Sequence, residues 1–326
     1  MRVLSPGVAF IAGLTTLLAL APRAAQSQAP YPSQTIKLIV PNAAGGLPDT
    51  VSRIVGRRLQ ERLTQSVVVE NRPGANGRVA VTALLSSPPD GYTFVVTDGS
   101  ILSINPLLYA SLSYNPSDIL PIAMLARAPL FLAVHPKVPV ATLSEFIAYA
   151  RARPGQINYG SSGVGSTHHL SMEAMNASLE LAMVHVPFKG TGESVPALLG
   201  GHIEVLFSAY PSLSGAADGN QVRLLATNGA QRSTQAPDLP SLAELIPGFD
   251  LAPVIGIFGR SDTPSAIVEK IASEALAIVK EPDLMRQLAV VGVEPAGAGP
   301  DDFKSVLQAE IKRVAEAVRA AGIKPR

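Results

Sequence analysis

The chain has 326 residues, more than one hydrophobic core usually serves, so two lobes of about 100–200 residues each are expected. Apolar residues make up 47% and charged residues 16%, a balance that excludes a disordered chain. The formal net charge is +1 and basic runs are missing, which argues against nucleic acid or an anionic membrane as a partner.

The first 27 residues read as an address. Arg2 precedes an apolar stretch over residues 8–20, too short for a comfortable membrane span, and Ala25-Gln26-Ser27 offers small residues at a cleavage site. That order is the order of a secretory signal peptide and has no reason to occur in a buried first helix. Cleavage near Ser27 removes Arg2 and Arg23 and no acid. The balance of 26 basic against 25 acidic residues becomes 24 against 25, a mature charge of −1. The chain has no cysteine, so a lipidated N-terminus and a disulfide framework are both excluded. A periplasmic location is expected, and no later segment reaches transmembrane length.

Strand and helix patterns alternate from there. Ile36–Val40 is a short apolar run readable as a strand. Gly45-Gly46 is a turn, and Pro48 and Asp49 suit the first turn of a helix whose apolar residues recur at helical spacing over residues 50–63. A strand follows at 67–70, a turn at 71–74, a helix at 79–85, a turn at Asp90-Gly91 and a strand at 92–97. Residues 100–109 form a helix or loop interrupted by Pro106. Two apolar runs, 119–125 and Leu130–Val134, flank Arg127-Ala128-Pro129, where the chain is expected to cross between lobes. The second lobe repeats the rhythm: helix 143–150, strand 157–159, a serine/glycine loop feeding a helix at Thr167–Ser178, strand 183–187, a turn at Lys189-Gly190, helix 194–199, and strands at 205–207 and 223–226. A return near 247–253 leads to a strand at 254–258. Helices at 264–279, 282–291 and 300–321 then each begin at or beside a proline.

This alternation predicts an α/β fold with parallel-dominated sheets. The expected organisation is a signal peptide (1–27), a first lobe (28–127), a second lobe (128–250) and a return to the first lobe (251–326). Two crossings between lobes are the anatomy of a hinge that closes on a ligand.

Two stretches share one grammar. Ile36–Asp49 and residues 159–168 each run strand, glycine turn, helix start, which aims unpaired backbone N–H groups at an anion. The two loops are expected to face each other across a cleft and share one small anionic ligand. Competing chemistries fit less well. Ser161, Ser162 and Ser166 with His168 or His169 suggest a serine hydrolase, but no serine sits in a Gly-x-Ser-x-Gly frame; Ser166 and Thr167 suit a helix cap instead. The five histidines lack a His-Glu-x-x-His spacing, and adjacent His168 and His169 point about 100° apart on a helix, so no metal is expected. His185 reads as a core histidine. Gly160, Gly163 and Gly165 do not fit a dinucleotide fingerprint, and Lys189-Gly190-Thr191-Gly192 reads equally as a turn with a solvated lysine or as a ligand contact. Catalysis and cofactors are therefore not expected; a ligand sensor of the same fold and a hydrolase using Ser166 with a distant histidine are the alternatives.

A set of short motifs, ordered along nearly all of the mature chain, carries a resemblance. It comprises Val40-Pro41 with Gly45-Gly46 and Asp49, Glu70-Asn-Arg-Pro-Gly74, Pro89-Asp-Gly-Tyr-Thr93, Asn105-Pro106 with Leu108-Tyr109, Asn158-Tyr-Gly-Ser-Ser-Gly163, Gly165-Ser166 with His169-Leu170, Val186-Pro-Phe-Lys-Gly190, Leu199-Gly-Gly201, Pro237-Asp-Leu-Pro240 and Pro247-Gly-Phe249. The chain resembles the Bug-type receptors, the substrate-binding partners of tripartite tricarboxylate transporters. The resemblance implies a two-lobe periplasmic binding protein of type II (a Venus flytrap). It also implies a small carboxylate ligand, integral-membrane permease subunits as partners and a receptor that works as a monomer. The positions it points to are Asn42, Gly45, Gly46, Asp49, Ser162, Gly165, Ser166, Thr167 and Ser208, with Asp49 expected to cap its own loop. Asn42, Pro48 and Ser208 depart from the family's common residues. Ser208 stands where an Asp would pair with a ligand amino group, which makes an amino-acid ligand less expected.

Overall fold

The computed structural model describes residues 30–42 and 44–325; the expected signal peptide lies outside them. The body described below is Pro32–Arg326. Its strands are β1 (Ile36–Val40), β2 (Val67–Asn71), β3 (Thr93–Asp98), β4 (Ile119–Arg127), β5 (Leu130–Val134), β6 (Asn158–Ser161), β7 (Val184–Pro187), β8 (Val205–Ala209), β9 (Arg223–Thr227), β10 (Val254–Arg260) and β11 (Glu294–Ala298). Its helices are α1 (Leu47–Leu63), α2 (Arg78–Leu85), α3 (Ser100–Ser103), α4 (Asn105–Leu108), α5 (Leu143–Arg151), α6 (Thr167–Ser178), α7 (Thr191–Leu199), α8 (Ser214–Asp218), α9 (Ser265–Ile278), α10 (Pro282–Val290) and α11 (Pro300–Ala320).

The strands form two sheets. One has six strands in the order β11-β4-β10-β3-β1-β2, the other five in the order β7-β6-β8-β5-β9. β1 runs parallel to β2 and β3, and β6 runs parallel to β7 and β8. The expectation of parallel-dominated sheets does not hold. β10 is antiparallel to both β3 and β4, β11 to β4, and β5 to both β8 and β9. The reason is the crossing. β5 and β10 each enter their sheet from the other lobe, so they run against the strands built by helix crossovers.

Sheet membership changes across Ala128-Pro129, between β4 and β5, and changes back between β9 and β10. The two crossings touch: the Ala128 N–H donates to the Pro253 carbonyl at 2.9 Å. Buried Asn228 fastens them further. Its Oδ1 accepts the Leu130 N–H at 2.8 Å, and its Nδ2 donates to the Leu251 carbonyl at 2.9 Å and to Ser171 Oγ at 3.0 Å. Arg127 and Arg313 both pair with Asp250, at 3.1 and 3.3 Å. A third link comes from α11. Its Phe303 and Leu307 pack in the core under the first sheet, while its Val314, Ala317 and Val318 pack in the core of the second.

Local chemistry accounts for most elements. α1 buries Val51, Val55, Leu59 and Leu63 on one face, the stripe of an amphipathic helix. It stops at Thr64, held in the left-handed region at φ 51°. α5 starts at Thr142, whose side chain accepts the Glu145 N–H at 3.2 Å, a standard N-cap. β11 was invisible to pattern reading because Glu294-Pro-Ala-Gly-Ala298 holds no β-branched or aromatic residue. Its Pro295 is tolerated because β11 is an edge strand.

Candidate functional site

A cleft of about 660 Å³ opens between the sheets, lined from both lobes. The first lobe contributes the β1–α1 loop and helix start (Asn42, Gly45, Gly46, Leu47, Pro48, Thr50) and the end of β3 at Asp98. The second contributes Ser162, Thr167 and His168, then Lys189, Gly190 and Thr191, then Ala209, Pro211 and Ser212. Ala128, Leu130, Pro253 and Ile255, at the crossings, complete the wall together with Val290 and Val291.

The two glycine loops have the same build. Gly45 and Gly165 sit at φ +83° and +79°, which glycine adopts without steric cost. The next residue caps the helix in nearly the same extended geometry, Gly46 at φ −67°, ψ 159° and Ser166 at φ −68°, ψ 157°. In each loop the glycine N–H turns back to the side chain four residues on. Gly45 N–H donates to Asp49 Oδ2 at 2.9 Å, and Gly165 N–H donates to His169 Nδ1 at 3.1 Å. The loop amides are thereby fixed in direction, and the first-turn N–H groups of α1 and α6 are left without an intrahelical partner. A third helix start stands at the same cleft. α7 begins after Gly190, with Lys189, Gly190 and Thr191 in the wall.

The expected residues divide into two groups. Asn42, Gly45, Gly46, Ser162 and Thr167 line the cleft. Asp49, Gly165, Ser166 and Ser208 do not. Asp49 is 2% exposed and turned into its own loop. Besides Gly45 it takes Asn71 Nδ2 at 2.8 Å and Arg53 at 2.9 and 3.0 Å. Burial alone would raise this carboxyl; Arg53, the Gly45 N–H and Asn71 outweigh it and hold Asp49 below the usual carboxylate range. Gly165 is covered by Leu108. Ser166 Oγ accepts the His169 N–H at 3.2 Å as the α6 cap. Ser208 lies fully buried on β8 with no hydrogen-bond partner for its hydroxyl among the described residues. The alternation of side chains along the strand gives the cleft to Ala209 instead.

Several lining residues were not singled out as ligand contacts from the sequence. Leu47 and Pro48 follow from the helix start; Lys189-Gly190-Thr191, which the sequence leaves equally a turn or a ligand contact, repeats the strand, glycine, helix order that marks the other two loops and lines the cleft. Asp98, Ala209 and Pro211 carry no such signal, since the ends of β3 and β8 meet the cleft only through the sheet topology.

Burial favours the neutral form of His168, His169 and His185. His168 Nδ1 lies 2.8 Å from Ser162 Oγ, and burial pushes His168 down to about 4. His169 is pushed to about 4 by burial and, secondarily, by His185. The His169 and His185 rings stack at 3.9 Å, Tyr159 lies against both, and Ser161 Oγ meets His185 Nε2 at 2.7 Å. His185 is thus satisfied by packing and a serine. Ser162–His168 resembles a nucleophile and its base. However, no carboxylate orients the imidazole among the described residues, and a group titrating near 4 is a weak base at neutral pH.

Residues 51–323 match the family model described as the tripartite tricarboxylate transporter family receptor. The chain belongs to this receptor family. It is 32% identical over 297 residues to the protein BugT of Bordetella pertussis, covering 90% of this chain and 91% of BugT. Among solved structures, the receptor is similar to Rpa4515 of R. palustris with adipate, at 32% identity and a TM-score of 0.79, with 91% of this chain and 100% of that one covered. It is also similar to MatC from Rhodopseudomonas palustris with bound malate, at 28% identity and a TM-score of 0.72, covering 88% and 100%. The two-lobe α/β architecture is that of solute-binding receptors. No helix among the described residues is long and apolar enough to cross a membrane.

Proposed function

We propose that this receptor captures a small organic carboxylate in the interlobe cleft, in the periplasm and without chemical turnover, and delivers it to a tripartite tricarboxylate-type permease. The observation that carries the reading is the convergence of three helix starts, α1, α6 and α7, on one cleft. Helix N-termini present unpaired N–H groups and the positive end of the backbone dipole to an anion. Charge-assisted hydrogen bonds contribute about 1.5–3 kcal/mol each, and micromolar affinity requires about 8 kcal/mol. Four or five bonds therefore suffice after losses, and no arginine is needed in the wall. Lys189 in the wall adds a positive charge, and neutral His168 adds a polar surface without repelling or fixing the ligand's charge. The adipate and malate held by the two relatives are both small dicarboxylates, which agrees with an anion of this size. The crossings at Ala128-Pro129 and Leu251–Pro253 supply the hinge about which the lobes close.

The test is a melting screen with mono-, di- and tricarboxylates, aromatic acids and neutral solutes. A ligand at a hundredfold over its Kd adds about 2.7 kcal/mol, or several degrees at ~2–4 °C per kcal/mol. Shifts with neutral or cationic solutes and none with any acid would overturn the reading. Gly46→Val sharpens it. The φ of −67° at Gly46 suits any residue, so the chain folds, but a branched side chain stands where the ligand oxygen must meet the backbone. Binding is expected to be lost; unaltered affinity would remove the first loop from the site.

A further inference from the structure

One lining residue is at odds with an anion cleft. Asp98, the last residue of β3, faces the cleft among helix starts that favour negative charge. One of its oxygens accepts the Ser100 N–H at 3.0 Å, and no cation pairs with it among the described residues. It differs in this from Asp49, whose oxygens are engaged by Gly45, Arg53 and Asn71.

A second observation lies beneath it. Asp98, Ser100, Thr167 and Glu310 share a small cavity of about 20 Å³. Ser103 Oγ–H donates to Glu310 Oε1 at 2.6 Å, while Glu310 Oε2 is shut away from solvent with no hydrogen-bond partner among the described residues. Burial, and then the nearby Asp98 charge, push Glu310 up to about 7. This corner of the site offers acceptors, and the cation that acts on Glu310, Arg313, is itself engaged by Asp250. It also abuts one jaw: Thr167, the first residue of α6, lines both the small cavity and the main cleft.

We propose that Asp98 selects carboxylates that carry a hydrogen-bond donor, a hydroxyl or an ammonium, on the carbon next to the carboxylate held at the α6 start. The inference rests on the carboxylate reading above and names the class of ligand. When the lobes close, a bare methylene chain would leave the free Asp98 oxygen desolvated and unpaired beside an anion, which is costly. A donor on the adjacent carbon meets that oxygen, and its position follows from the closeness of Asp98 to Thr167.

The experiment compares matched triplets on two skeletons by calorimetry: succinate, malate and aspartate, and adipate, 2-hydroxyadipate and 2-aminoadipate. The wild-type receptor is expected to prefer a substituted member by about 10- to 100-fold over the unsubstituted diacid, the range for a hydrogen bond to a charged group. Asp98→Asn keeps an acceptor for Ser100 and removes the charge. It is expected to collapse that ratio to within a few-fold, with the ammonium compound losing most and the unsubstituted diacid gaining. Asp98→Ala provides a second variant, and melting curves of both establish folding. A wild-type receptor that binds the plain diacids as tightly as their substituted partners overturns the inference while leaving the carboxylate reading intact. So does a ratio unchanged in both folded variants. A receptor that binds no acid of any kind overturns both.

Discussion

The two glycine loops are built alike and fastened differently. Each turns on a left-handed glycine, caps its helix with an extended residue and returns the glycine N–H to the side chain at the helix's third position. In the first jaw that side chain is Asp49, a buried anion held by Arg53 and Asn71. In the second it is His169, a buried neutral imidazole stacked on His185. The shared backbone suits a shared task, presentation of N–H groups. The different fasteners give the jaws different sensitivities: the first to the loss of a charge, the second to the gain of one.

The largest expected consequence is therefore in acid. His169 and His168 titrate near 4 in the folded chain against 6.5 as the ordinary value. Between those values the unfolded chain binds more protons at these two groups, so their contribution to stability rises with pH through this window and falls as pH drops below 6.5, while Glu310, raised to about 7 in the folded chain, gains as pH drops over the same window and offsets part of that fall. At about 1.4 kcal/mol per unit, moving from pH 7 to pH 5 costs roughly 2 kcal/mol for His169 and somewhat less for His168, which is partly exposed. Protonated His169 Nδ1 can no longer accept the Gly165 N–H, so the second loop loosens first. Asp49, held below the usual carboxylate range, keeps the first loop tied over the same window. Urea unfolding from pH 7 to 5 reads the net change, and the difference between wild type and a variant that does not titrate isolates the His169 share. His169→Gln, which retains an acceptor but does not titrate, should flatten the slope by about one proton; an unchanged slope would place the pH sensitivity elsewhere.

A comparable loss is expected when the first jaw's fastener is removed. Asp49→Ala leaves the Gly45 N–H and Asn71 without their acceptor, while Arg53, half exposed, returns to water. The cost is about 2–4 kcal/mol, or a melting temperature lower by roughly 5–15 °C. Asp49→Asn, which keeps one acceptor, should recover part of it. Since Asp49 is outside the cleft wall, ligand affinity in the folded fraction should fall through misplacement of the loop, with selectivity among acids unchanged. A change in selectivity would show that Asp49 meets the ligand.

How far this could be read from the sequence depends on whether the cause is local. The strand–turn–helix order at Ile36–Asp49 and at residues 159–168 is local, and so are its glycines and caps; both helix starts were legible. The capping role of Asp49 was legible because an acid at a helix's third position, beside an anion site, needs a donor of its own. The role of His169 was not, because nothing in His168-His169 says which imidazole turns back and which faces the cleft. Ser208 and Ala209 are the plainest case. One residue of register decides which reaches the ligand, and register is set by pairing with Phe131 and Leu130 on β5, far away in the chain. β11 was missed for the opposite reason: its residues have no strand preference, and its pairing with β4 supplies the structure.

The glycines themselves separate backbone cost from packing cost, and Gly45→Ala has the smallest expected effect. Both Gly45 and Gly165 have positive φ, so alanine at either pays the left-handed penalty of about 1–2 kcal/mol. At Gly45 an added Cβ meets nothing within 4 Å, and Gly45→Ala should lose only that amount. At Gly165 the Cβ would stand 2.3 Å from Leu108 Cδ1, so Leu108 must move and a further 1–3 kcal/mol or so is expected. The double variant Gly165→Ala with Leu108→Ala tests the cause, since the smaller side chain relieves the clash while creating its own cavity. A double-mutant cycle by thermal unfolding should give a favourable coupling for this pair and none for Gly45→Ala with Leu108→Ala, because Leu108 stands against Gly165 while nothing stands within 4 Å of a Cβ at Gly45. Equal losses for the two glycine variants, with no coupling to Leu108, would mean that the jaws are packed as alike as their backbones and that the difference between them is confined to Asp49 and His169.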